Sequence, residues 1–206
     1  MRKGRFSNKE IVEEYDKFAK FYDLFEFPFE IFWLARLRRE LLGNLRGDVL
    51  EIAVGSGRNL KYYNKECKIT AIDLSKEMLE LAKNKAKKLD VKVDFRIGDS
   101  QKLNFGHRKF DYVVDSLGMC TFSNPIKALK EMKRVCKKNG KIILLEHGMS
   151  SNRFFSKMQY WREKKHYDGF RCSLIRNHEE LVKKAGLKIE SIEKRFFGIF
   201  YAIIAI

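Results

Sequence analysis

The sequence predicts an α/β fold: a seven-stranded sheet, mostly parallel, with helices on both faces, an N-terminal helical cover and a C-terminal antiparallel hairpin. Three observations predict it. Short apolar runs rich in β-branched residues recur along the chain, and helix-period segments separate most of them. The first run, Asp48 to Val54, leads straight into a glycine-rich turn, Gly55-Ser56-Gly57, as a buried parallel strand feeding a helix does. The last two runs, Leu187 to Lys194 and Ile199 to Ile206, have only a short turn near Phe197-Gly198 between them, which makes them a hairpin.

Each element can be justified in order. Ile11, Tyr15, Phe18, Ala19 and Tyr22 fall at helical spacing and predict an amphipathic helix over 8–23. A second helix is expected over 29–45, closed by Gly47. Strands follow at 48–54 and 68–73, and Ser75 is placed to cap the next helix. Further strands are expected at 91–97 and 110–115. A helix over 125–138 starts on Pro125 and stops at Asn139-Gly140, and a fifth strand covers 141–145. A last helix at 178–185 precedes the hairpin. The apolar end from Phe200 is too short to span a bilayer and reads as a central buried strand.

The whole of 1–206 is expected to be one domain. Within it, 1–46 forms the cover, 47–148 the core, 149–177 a lid or acceptor segment, and 178–206 the last helix and hairpin. With 45% apolar and 34% charged residues the composition is globular rather than disordered. Lys and Arg number 43 against 27 Asp and Glu, for a net charge of +16. Such an excess reads either as a solvated lysine surface or as a match for an anionic partner, nucleic acid or a membrane face. The four cysteines, Cys67, Cys120, Cys136 and Cys172, form no C-x-x-C pair. Buried free thiols in a reducing, cytoplasmic setting are expected, and no metal. Leu24 to Ala35 is broken by Glu26, Pro28 and Glu30, so it is no transmembrane span.

In an open parallel sheet the ligand sits at the carboxyl ends of the strands. Four stretches collect there: Glu51-Ile52-Ala53-Val54-Gly55-Ser56-Gly57, then Asp73, then Gly98-Asp99-Ser100, then Asp115-Ser116-Leu117-Gly118. The glycines let the backbone turn tightly and approach a ligand. A carboxylate at 73 can accept both hydroxyls of a ribose, one at 99 an exocyclic adenine amine, and 115–117 lie beneath a reacting centre. A dinucleotide site would need an intact G-x-G-x-x-G, which this loop lacks.

This ordered set, with the terminal hairpin, resembles the Rossmann-like class I S-adenosylmethionine-dependent methyltransferases over nearly the whole chain. Ala53 departs from the family's usual glycine, which predicts tighter packing at the turn without loss of binding. Gly55-Ser56-Gly57-Arg58-Asn59, Leu144 to Gly148, Gly118-Met119-Cys120 and Gly169-Phe170-Arg171-Cys172 are similar to one branch. That branch holds mitochondrial OMS-type enzymes, microsomal thiol methyltransferases, and relatives of quinone and phospholipid methyltransferases. The resemblance implies S-adenosyl-L-methionine as cofactor. It implies as binding residues Tyr15, Tyr22, Glu51, Ala53, Gly55, Ser56, Gly57, Asn59, Asp73, Leu74, Met78, Asp99, Ser100, Asp115, Ser116 and Leu117.

Any acid or base should stand beside the ends of the fourth and fifth strands. His147, one residue past the fifth strand, and Tyr22 on the covering helix are the candidate catalytic residues. Phe29, Trp33, Cys120, Trp161, His166 and Arg176 are the candidates for holding the acceptor. Within 149–177, Phe154, Phe155, Met158 and Trp161 mix with Arg153, Lys157, Arg162, Lys164 and Lys165, which suits an amphiphile or a membrane surface. The expected acceptor is therefore a lipid, quinone or thiol, with peripheral contact to a membrane. The alternatives are RNA as acceptor, favoured by the charge, and a non-catalytic module that binds the cofactor.

Overall fold

The computed structural model describes residues 6–17 and 34–206. Its strands are β1 (Gly47–Ile52), β2 (Cys67–Asp73), β3 (Val93–Ile97), β4 (Phe110–Ser116), β5 (Cys136–His147), β6 (Ile189–Arg195) and β7 (Phe200–Ala205). The helices are α1 (8–17), α2 (Ala35–Leu42), α3 (Lys76–Leu89), α4 (Pro125–Val135), α5 (Arg153–Phe170) and α6 (His178–Lys184). The strands form one sheet in the order β3-β2-β1-β4-β5-β7-β6. β1 to β5 run parallel, and β7 enters antiparallel between β5 and β6. The hairpin is thus as expected, and its apolar last strand is buried because it is interior to the sheet.

Strand alternation builds a core on each face. Leu50, Val113, Ile142 and Leu144 pack with Leu129 and Met132 of α4 and Leu181 and Val182 of α6. Their neighbours Val49, Val114 and Ile143 turn to the other face, against Leu42 and Tyr62. Val54 and Ala71 pack against Leu79 and Ala82 of α3. Ser75 caps α3 as expected, accepting from the Met78 N–H at 3.0 Å.

Three of the boundaries that differ from the sequence reading have a clear local cause. The helix expected over 125–138 ends at Val135, because Cys136 is already extended and pairs with Phe110. Lys137 then reaches Asp111 at 2.8 Å, and the turn signal Asn139-Gly140 lies inside the strand. β1 stops at Ile52, since Ala53 is left-handed at φ 49°. The second helix closes at Gly43, whose N–H donates to the Arg39 carbonyl, and Gly47 opens β1 instead. The first expected helix is described only over 8–17; its continuation to 23, and the region 29–33, lie outside the described residues.

Candidate functional site

The strand order reverses between β1 and β4, so a crevice opens at their carboxyl ends. A cleft of about 940 Å³, counting its open mouth, occupies this position. Its walls include Tyr15, Glu51, Ala53, Gly55, Ser56, Asn59, Asp73, Leu74, Met78, Ser100, Ser116 and Leu117. These twelve expected residues are brought together from α1, the β1 turn, β2, the start of α3 and the ends of β3 and β4.

The geometry at each strand end is specific. Gly55 and Gly57 are left-handed, at φ 54° and 78°, and turn the chain back over β1. Gly57 also lets α3 approach, since a Cβ there would stand 2.9 Å from Leu60 and 3.1 Å from the Ala82 backbone. Asp73 Oδ2 accepts from the Gly55 N–H and Oδ1 from the Ser75 N–H, both at 2.9 Å. Each oxygen keeps a second lone pair. Burial pushes the Asp73 carboxyl up, against the pull of those backbone N–H groups.

A buried polar chain lines the opposite wall. Arg38, only 3% exposed, donates to the Asn59 side-chain carbonyl. The Asn59 amide donates to Glu51 Oε1 at 2.9 Å and to Ser116 Oγ at 3.1 Å. Burial pushes the Glu51 carboxyl up to about 7, against the pull of Tyr63, Asn59 and Arg38. The folded protein therefore keeps this proton to about pH 7, whereas an ordinary glutamate loses it near 4.5. Folding takes up a proton in that window, so the stability from protonated Glu51 is complete below it and is lost as pH rises through it. Relative to Glu51→Gln, the wild type should lose up to about 3 kcal/mol between those limits. Urea unfolding of both proteins across the window checks this; a constant difference would contradict it.

α1 closes the cleft from above. Asn8 donates to Asp99 at 2.8 Å and accepts from Gln101 at 3.0 Å and Ser123 at 2.9 Å. Asp16 accepts from the Ser75 hydroxyl. Asn8, Ile11, Val12 and Tyr15 thus face the interior, held by bonds to the ends of β2 and β3 and to the segment after β4.

Not every expected residue reaches the cleft. Gly57 supports the turn from behind. Asp99 is engaged by Asn8 and by the Gln101 N–H, so Gly98, Ser100 and Gln101 form that wall instead. Asp115 is fully buried against Glu146, beneath Gly118. Burial first, and then the facing carboxylate, pushes it well up.

His147 points to Cys172, with Nε2 3.1 Å from Sγ, and is not among the cleft residues. Arg176 is spent on the backbone carbonyls of Met119 and Phe122. Cys120, within the 117–122 loop, is buried, His166 packs on Phe170, and Trp161 is 82% exposed. None of these four acceptor candidates lines the cleft. Tyr22, Phe29 and Trp33 lie outside the described residues. Arg38, Asn8 and Gln101 escaped the sequence reading. Arg38 carried one signal, a cation on the helical face that also presents Leu34, Leu37 and Leu42.

Residues 50–144 match a family model described as a methyltransferase domain. These residues form an S-adenosylmethionine-dependent methyltransferase domain. The chain is similar to Methyltransferase OMS1, mitochondrial, of Saccharomyces cerevisiae, at 27% identity over 96% of this chain and 45% of that protein. It is also similar to the demethylmenaquinone methyltransferase of Thermotoga maritima, at 31% identity over 69% of this chain and 64% of that one. The chain thus spans about half to two thirds of the length of these relatives. A crystal structure of a methyltransferase from Thermotoga maritima shares the fold, with TM-score 0.70 and 23% identity over 94% of this chain and 98% of the other. Members of this class use S-adenosyl-L-methionine. The donor set of the cleft fits it: paired carboxylate oxygens at Asp73, the buried Glu51 carboxyl, the Arg38 cation, and an open backbone approach at Gly55.

Proposed function

We propose that this protein transfers a methyl group from S-adenosylmethionine to an apolar or amphiphilic small molecule, a lipid, quinone or thiol, at an anionic membrane surface. Bound S-adenosylmethionine supplies an electrophilic methyl group on a sulfonium centre. The chain's own residues hold, orient and enclose. Asp73 accepts the ribose hydroxyls through its free lone pairs. Gly98, Ser100 and Gln101 border the adenine end, while Leu74 and Met78 offer apolar cover. Arg38, Asn59 and Glu51 face the amino-acid end, where the guanidinium balances a carboxylate. Tyr15 and the rest of α1 keep water out, which strengthens every polar contact beneath. His147 acts as a positioning residue, through the 117–122 loop in front of it. Tyr22, outside the described residues, is proposed to act in the transfer itself. The division of the single domain into cover, core, acceptor segment and hairpin belongs to this proposal.

One observation carries the choice of acceptor. Polar bonds fasten α5 to the body, together with Tyr167 packed on Phe6. Gln159 bridges the Ser150 N–H and the carbonyls of Gly148 and Leu174, and Glu163 accepts from Ser173 and from the Leu174 N–H. Phe154, Met158 and Trp161 lie one helical turn apart and point outward, Phe154 being 72% exposed. The tip between β6 and β7 continues this face, with Phe197 stacked on Phe155 at 4.7 Å. Phe196 and Phe197 are both left-handed, at φ 51° and 56°, a strain of roughly 1–2 kcal/mol each. Strained, exposed aromatic residues at a loop tip are an argument for function. Arg153, Lys157, Arg162, Lys164 and Lys165 stand among them, as a surface that enters an anionic lipid interface requires.

Vesicle binding tests this reading. Anionic vesicles containing a quinone should retain the protein, and added salt should release it. Phe154→Ala/Trp161→Ala should bind at least about tenfold more weakly, since burying each ring is worth about 1.5–3 kcal/mol. Its unfolding midpoint should not change, because neither ring packs in the core. Tight tRNA binding with no affinity for vesicles would overturn the proposal and favour RNA as acceptor.

A further inference from the structure

Three distant segments converge behind the cleft. Cys120 comes from the loop after β4, His147 from the end of β5 and Cys172 from the turn after α5. Their donor atoms all lie within 4.8 Å of one another. Both thiols are buried, at 2% and 9% exposure. The backbones that carry them are locked together. The Ser173 N–H donates to the Cys120 carbonyl at 3.0 Å, and Arg176 holds the carbonyls on either side of that loop. The Met149 N–H donates to the Arg176 carbonyl, and buried His178 donates to the His147 carbonyl at 2.7 Å. The spacing 120, 147, 172 matches no local metal motif, which is why the sequence predicts no metal.

We propose that Cys120, His147 and Cys172 bind one Zn²⁺ ion, as a two-sulfur, one-nitrogen site whose fourth position takes water or another single donor. Tetrahedral zinc with these bond lengths sets its ligand atoms roughly 3.5–3.8 Å apart. The trio, with His147 Nε2 3.1 Å from Cys172 Sγ and every donor atom within 4.8 Å of the others, needs only small side-chain rotations to reach that spacing. Thiolate and imidazole together select zinc over the hard cations magnesium and calcium. Charge also closes: each thiol releases its proton to solvent, and two thiolates with one Zn²⁺ and a neutral imidazole sum to zero. A single bare thiolate in the same burial would be uncompensated. The ion would tie the cleft-lining loop 117–122 to the end of α5, joining the cofactor side to the acceptor side.

Cobalt substitution tests this without any assay of methyl transfer. The reduced, chelator-treated protein is titrated with Co²⁺. The expected result is one Co²⁺ per chain, with the strong visible bands of a tetrahedral site and thiolate-to-cobalt charge transfer, and displacement by Zn²⁺. The charge transfer should fall by about half in Cys172→Ser and vanish in Cys120→Ser/Cys172→Ser. Circular dichroism establishes that the variants fold; if the double variant does not, loss of the imidazole ligand in His147→Gln serves as the second readout. Absence of bound Co²⁺ in the wild type, a weak octahedral spectrum, or an unchanged spectrum in the folded variants would overturn the proposal. A disulfide between Cys120 and Cys172 that persists under reducing conditions would do the same.

Discussion

Replacing Asp73 by alanine lowers the affinity for S-adenosylmethionine by about ten- to a hundredfold, the loss of roughly 1.5–3 kcal/mol in hydrogen bonds to a charged acceptor. Two effects add. The ribose loses both acceptor oxygens, and the N–H groups of Gly55 and Ser75 lose the carboxylate that fixes the turn. Asp73→Asn keeps one acceptor oxygen and should fall between alanine and the wild type. Calorimetric titration of the three proteins measures the series. Equal affinities would remove the ribose assignment and leave the cleft without its polar anchor.

The second large effect is steric. A Cβ added at Gly118 would lie 2.3 Å from Asp115 Oδ1 and 2.9 Å from the Ala53 Cβ. Asp115 is fully buried, so it has nowhere to retreat. Gly118→Ala should therefore cost about 1–3 kcal/mol of stability, as overpacking does. Ala53→Gly in the same chain should restore part of that loss, because it removes one of the two clashing atoms. On its own, Ala53→Gly relieves a left-handed alanine worth roughly 1–2 kcal/mol. The added flexibility of the unfolded chain takes back about 0.5–1 kcal/mol. Urea unfolding of the two single variants and the double variant gives the coupling. Strict additivity would mean that residues 53 and 118 do not share this contact.

That pair also shows how far the sequence could be read. The alanine in the glycine-rich turn is visible locally, and tighter packing there followed from one extra methyl group. Its partner at 118 is sixty-five positions away, and no periodicity connects the two. The strand ends were legible for the same local reason. An apolar run ending in glycine or a carboxylate marks where a parallel strand meets solvent, so 51–57, 73, 98–100 and 115–117 could be named. The walls that α1 and α2 contribute could not. Arg38 meets Asn59, and Asn8 meets Asp99 and Ser123, only because the sheet folds these segments onto one another.

The acceptor side was the least legible. His147 was expected at the reacting centre because it follows the fifth strand by one residue. The side chain instead turns behind the loop, to Cys172. Arg176 was expected to hold an acceptor, yet its guanidinium satisfies two loop carbonyls that would otherwise be buried without donors. The aromatic and basic mixture in 149–177 was expected to suit an amphiphile or a membrane surface. Composition did not reveal that Gln159 and Glu163 anchor the helix and leave Phe154 and Trp161 outward.

Where the methyl group goes decides most directly what this protein does. The protein is incubated with methyl-labelled S-adenosylmethionine and a cell extract separated into lipid, RNA, small-thiol and protein fractions. Label in the lipid or thiol fraction, lost with Asp73→Ala and reduced with Phe154→Ala/Trp161→Ala, is the predicted result; label in RNA alone, indifferent to the α5 substitutions, would contradict it.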